Sequence, residues 1–120
     1  MNMENDMREF DTGATRDSED GKLDFEGFLS PLVLKEFAEY MHEHRFQADG
    51  EIRDSDNWQK GISYDVYMKS SWRHFFDFWQ AHRGGWQDRK AMCALLFNIM
   101  GYMHELLMER EKGCKQKPEV

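Results

Sequence analysis

The sequence predicts an all-α fold: a compact helical bundle of three main helices behind a long polar N-terminal segment, completed by oligomerisation. Three observations carry this. Stretches near 30–45, 64–82 and 88–111 repeat apolar residues at helical spacing. Residues with capping chemistry stand at their ends. The third stretch is apolar nearly all round, which marks a central helix that two others are too few to cover.

Residues 1–28 form the polar segment. "GATRDSEDGKLDF", Gly13 to Phe25, alternates acids with Arg16 and Lys22. It is too polar for a strand or a core helix and too long for a simple turn. It is either a disordered leader or a loop that holds a charged ligand. The helical domain spans 29–112, and 113–120 is a flexible tail. "SPLVLKEFAEYMHEHR" announces the first helix. Ser30 suits the N-cap, and Pro31 suits the next position, where a missing N–H costs nothing. Val33, Leu34, Phe37, Tyr40 and Met41 share one face, while His42, His44 and Arg45 complement the C-terminal end of the dipole.

The linker "FQADGEIRDSDNWQKGI" is near the upper length for a loop without a function of its own. The second helix, about Tyr64 to His82, carries an apolar stripe of Met68, Trp72, Phe75, Phe76 and Trp79. "RGGWQD" ends it. The third helix starts after a cap at Asp88 and runs to Glu111, with Gly113 as its stop. Met92, Leu96, Ile99, Met100, Met103 and Leu106 are among the apolar residues around it. One narrow stripe differs: Ala91, Ala94, Asn98, Glu105 and Glu109 fall within about 60°. Small and polar residues there leave room for solvent, a partner's backbone or a ligand.

The 120 residues fit one domain, and 40% hydrophobic with 14% aromatic is too rich for a disordered chain. A net charge of -7 argues against polymeric nucleic acid, which needs a broad basic surface. It leaves room for a small phosphorylated ligand. Cys93 and Cys114 offer neither a disulfide framework nor a zinc site. No apolar signal segment and no run long enough to span a membrane is expected. The expected location is therefore the cytoplasm, of the host if the chain is phage-encoded.

Glu36, Glu39 and Glu43 share a helical face roughly 120° from the apolar one. That spacing suits either a hard cation or a solvated acidic face. His74 and Asp77 stand at i and i+3, and Arg73 and Asp77 at i and i+4. Arg73 and Asp77 can form a surface ion pair. His74 lies opposite the apolar stripe, among Tyr67, Ser70 and Phe78. It is a hydrogen-bonded structural residue, a ligand contact or a general acid/base. His104, between core positions, reads as structural. In "SDNWQKG", Trp58 either stacks on a base or plugs the bundle, and Lys60 meets a phosphate or water. The Walker pattern "GxxxxGK[ST]" is absent.

The ordered set "GATRDSEDGKLDF", "EFAEY", "SDNWQKGI" and "WRHFFDFW", followed by an apolar helix, resembles the phage-type dATP/dGTP diphosphohydrolase N-terminal family. The resemblance runs from about Arg8 to Leu107. It is also loosely similar to MazG-type all-α nucleotide pyrophosphatases. The chain departs from the family pattern before its last helix, where "WQDRKAM" stands in place of His residues.

The resemblance implies hydrolysis of a deoxynucleoside triphosphate, dATP or dGTP, to monophosphate and pyrophosphate with Mg2+ or Mn2+. Glu36, Glu39 and Asp77 would hold the metal, and Glu36, Glu39 and His74 would be catalytic. Arg16, Asp17, Lys22, Asn57, Trp58, Lys60 and Arg73 would bind substrate, with Gly13 and Gly21 turning the leader around the phosphates. Two rival readings stand beside it. One is a nucleotide-binding or nucleotide-sequestering phage protein without catalysis, and the other a structural protein whose motifs merely hold the fold. The expected partners are a nucleotide and further copies of the chain, as a homodimer or larger homo-oligomer, with no membrane.

Overall fold

The computed structural model describes residues 7–112 and divides into two units, residues 1–31 and 32–120. The first unit opens with an antiparallel pair, β1 (Met7–Glu9) and β2 (Thr15–Asp17), in register Met7 with Asp17 and Glu9 with Thr15. Thr15–Asp17 is therefore a strand, contrary to the expectation from its polarity. A two-stranded ribbon has no face that must be buried, so polar residues suit it. It is held by cross-strand polar groups instead. Arg8 Nε donates to the Asp17 carbonyl at 3.0 Å, and Arg8 Nη1 reaches Glu19 Oε1 at 2.6 Å. Gly13 and Gly21 sit at φ 88° and 79°, the left-handed region that a side chain disfavours. A single turn, α1 (Phe25–Phe28), follows, with Asp24 accepting from the Gly27 amide at 2.9 Å.

Three main helices follow: α2 (Pro31–Glu43), which starts at the last residue of the first unit, then α3 (Tyr64–Gly84) and α4 (Arg89–Glu111) in the second. Pro31 opens α2, as its missing N–H predicts. Ser63 caps α3 by accepting from Val66 N. Gly85, at φ 81°, closes α3 and returns its N–H to Ala81 O. Asp88 caps α4 as expected, accepting from Ala91 N at 2.9 Å. The expected stop at Gly113, Cys114 and the tail lie outside the described residues.

The packing of α3 on α4 reverses the expected faces. The narrow stripe on α4 is covered at Ala91, Ala94 and Asn98, while Glu105 and Glu109 stay partly exposed. Ala91, Cys93, Ala94, Asn98 and Gly101 are the buried residues of the helix. On α3 the buried residues are Tyr67, 1% exposed, and Ala81. Small side chains let the two axes approach, and the Tyr67 ring fills the space that Gly101 leaves. The large residues face out: Trp72 is 67% exposed, Ile99 50% and Met103 55%. The sequence shows which residues are apolar, but helices can meet through their smallest side chains.

A second correction concerns length. By length and composition α4 is apolar enough to cross a membrane, with 23 residues and an 18-residue window of mean hydropathy 1.3. Its buried stripe and the Asn98 side chain, which donates to Ala94 O at 2.7 Å, show a helix that packs on protein along one side.

Candidate functional site: a basic and aromatic cleft

The linker folds into the wall of a cleft. After α2, Phe46 pairs with Ile52, and Gly50 takes φ 86° to turn the chain between them. Arg53 N donates to Arg45 O at 2.8 Å, and Arg45 Nε donates to Arg53 O at 2.7 Å. The Arg53 guanidinium also donates to His44 O. These bonds hold two arginines at the end of α2. The chain then makes a 3-10 turn at Asn57–Lys60 and enters α3.

The result is a cleft of about 640 Å3 bounded by α2, this excursion, α3 and α4. That size suits a small-molecule ligand. Arg45, Arg53 and Arg73 line it, with His42, His44 and His74. Asp54 is the one acid in the lining. Phe37, Tyr40, Trp58 and Phe97 supply the aromatic part. Trp58 stands edge-on to Phe97 at 6.1 Å and to His104 at 4.8 Å between centroids. It therefore packs into the bundle and borders the cleft at once. His104 joins it in that packing.

Tyr67 also lines the cleft, and its hydroxyl is buried with no hydrogen-bond partner among the described residues. Burial pushes its pKa above the ordinary 10.0, and Glu105 adds to the shift. An unpaired buried hydroxyl costs free energy unless something meets it.

Of the residues expected at the site, Asn57, Trp58, Arg73 and His74 converge on this cleft. Lys60 is exposed and outside its lining. Arg16 and Asp17 lie on β2, and Lys22 in the turn that follows, where its amide donates to Glu19 O at 3.0 Å. All three are exposed and belong to the first unit.

Glu36 and Glu39 line a second, much smaller cleft of about 70 Å3 with Glu43, Arg89, Lys90 and Cys93. Tyr40 borders both clefts. Glu36 Oε1 faces Arg89 Nε at 3.5 Å, so one carboxylate already has a cation. Burial pushes the Cys93 thiol up, Glu36 adds to this, and Arg89 opposes it. Asp77 is exposed and lines neither cleft, and no ion pair joins it to Arg73 among the described residues. Among those residues no group of three or more His, Cys, Asp or Glu is placed to hold a metal. Arg89 and Lys90 share the smaller cleft with the carboxylates.

No family model, curated protein or solved structure matches the chain.

Sequence reasoning missed Arg45, Arg53, His42, His44 and Tyr67 as cleft residues. The first helix end and "IRDSD" look like solvated charge until Gly50 is read as the turn that folds one onto the other.

Proposed function

We propose that the helical unit binds a nucleotide in the larger cleft and holds its phosphates with protein cations instead of a metal. One observation carries the reading: three arginines and three histidines share a cleft of about 640 Å3 with aromatic rings, against a single acid. Guanidinium groups bond phosphate oxygens through charge-assisted pairs, and aromatic faces suit a base. Arg45, Arg53 and Arg73 take the phosphates. His74 and Asn57 contact the ligand at the α3 side, and Trp58 or Phe97 meets the base. The resemblance to the dATP/dGTP diphosphohydrolase family supports a deoxynucleoside triphosphate as the ligand class.

Hydrolysis with Mg2+ is the second reading. What favours it is that Glu36 and Glu39 share a cleft whose wall, Tyr40, also borders the nucleotide cleft. Product identification separates the two. Incubation with a panel of nucleotides and Mg2+, followed by mass spectrometry, should return every nucleotide intact, with at least one co-eluting with the protein. Monophosphate and pyrophosphate would establish the hydrolase instead. Absence of both product and co-elution would leave the cleft a feature of the fold alone.

A further inference from the structure

On the reading that the larger cleft binds a nucleotide, we propose that His44 is a pH-gated contact for one of its phosphates. As neutral imidazole the side chain is closed to the phosphate, and as imidazolium it bonds to it.

His44 Nδ1 lies 2.8 Å from the Tyr40 carbonyl oxygen, one helical turn back along the chain. A carbonyl only accepts, so Nδ1 carries the proton. The imidazole also lies against the Tyr40 ring, with centroids 4.1 Å apart. These two contacts fix the tautomer and the orientation of the ring. In the neutral form Nε2 therefore holds a lone pair. It meets no hydrogen-bond partner among the described residues. His44 lines the larger cleft together with Arg45, Arg53 and Arg73. A lone pair cannot bond a deprotonated phosphate oxygen, which also only accepts. One more proton turns Nε2 into a charged donor, and a charge-assisted bond becomes available. Imidazole makes this change between about pH 8 and 5. His42 and His74 line the same cleft, but no hydrogen bond fixes their tautomers among the described residues.

The charges around the ring come from three elements. On the α2 side, Glu43 precedes His44 and lines the smaller cleft, while His42, Tyr40 and Arg45 line the larger one. The excursion after α2 brings Asp54 and Arg53, whose guanidinium donates to the His44 carbonyl. From α3 come Arg73, His74 and Tyr67. The α4 lining, Phe97, Asn98 and Met100, adds no charge. A polyphosphate bound among these groups adds negative charge and favours the imidazolium. Nucleotide binding and proton uptake at Nε2 then strengthen each other.

Calorimetric titration of dATP and dGTP into the wild-type protein and His44→Asn, at pH 5.5 and at pH 8.5, tests the gate across the imidazole range. Asn keeps an amide donor near the Nδ1 position and removes Nε2. His44 is exposed, so the variant should fold as the wild type does. A terminal phosphate itself changes charge near pH ~6. Wild type and variant are therefore compared at each pH, where that contribution is common to both. At pH 5.5 the variant should bind about tenfold more weakly, the loss of one charge-assisted bond. At pH 8.5 the two should agree within about twofold. Equal affinities at both pH values would overturn the contact and leave the nucleotide cleft standing. A loss of the same size at both would give His44 a role in holding the cleft's shape, and would overturn the gate. If neither nucleotide binds either protein at either pH, the gate falls together with the nucleotide reading.

Discussion

The two clefts share Tyr40 as a wall and differ in everything else. The larger, about 640 Å3, gathers three arginines, three histidines and several aromatic rings around one acid. The smaller, about 70 Å3, gathers three glutamates with Arg89 and Lys90. One helix, α2, feeds both, because its glutamates and its aromatic residues lie on different faces. The contrast teaches that an acidic face at metal-ligand spacing need not be the chemical centre. Its charge can be answered by cations at the start of α4. The basic side chains gather instead where the chain after α2 folds back on itself.

The largest expected effect breaks this contrast from the basic side. Arg73→Met keeps the length of the side chain and removes the charge. Nucleotide affinity should fall about 10- to 100-fold, corresponding to roughly 1.5–3 kcal/mol for a lost charged hydrogen bond. Because Arg73 is exposed, the melting temperature should hardly move. Calorimetric titration checks the affinity. Unchanged binding would remove Arg73 from the phosphate site.

Gly101→Ala sharpens the contrast from below the larger cleft. The added methyl would run into the Tyr67 ring, which is buried and has little room to withdraw. Overpacking of this kind costs about 1–3 kcal/mol. Urea denaturation should show that loss, and nucleotide binding should weaken as Tyr67 shifts. An unaffected variant would mean that α3 and α4 do not meet through Tyr67 and Gly101.

These two residues show what the sequence made legible. The three main helices, their approximate ends and the Asp88 cap could be read directly, since periodicity and capping are local signals. Asn57, Trp58, Arg73 and His74 could be nominated because they stand in short motifs with suitable chemistry. The packed faces could not be read. Hydrophobicity nominates Trp72 and Ile99 for the interior, yet the helices approach through Ala81, Ala94 and Gly101. Close approach depends on side-chain size, which a hydropathy pattern does not weigh. Arg45 and Arg53 were also invisible as a pair, since only the turn at Gly50 brings their backbones together. The ribbon of the first unit escaped because a strand without a buried face leaves no alternation to detect.

A smaller effect is expected from pH. Burial holds the Tyr40 and Tyr67 hydroxyls above their ordinary value of 10.0, with Cys93 adding to the first and Glu105 to the second. Just above pH 10 the folded chain keeps protons that the unfolded chain gives up. Stability is therefore unaffected by these groups below that pH and falls as pH rises through the folded values. Urea melts from pH 8 to pH 11 should show a plateau followed by a decline. A decline absent in the double variant Tyr40→Phe, Tyr67→Phe would assign it to these hydroxyls. The same decline in that variant would assign it elsewhere.

The smallest effect belongs to the acidic cleft. Glu36→Gln and Glu39→Gln should each change stability by no more than about 0.5 kcal/mol, because the Glu36–Arg89 pair is solvent-exposed. Nucleotide affinity should stay within about threefold, near 0.7 kcal/mol. Loss of Mg2+-dependent product formation in both variants would instead place the chemistry on these carboxylates.

Metal dependence of binding tests the central claim most directly. Titration of a deoxynucleoside triphosphate into the wild-type protein, once in Mg2+ and once in EDTA, compares protein cations with a metal as the holder of the phosphates. The arginine cleft predicts dissociation constants within about threefold of each other. Binding that appears in Mg2+ and vanishes in EDTA would contradict it, and would return the phosphates to the glutamates of the smaller cleft.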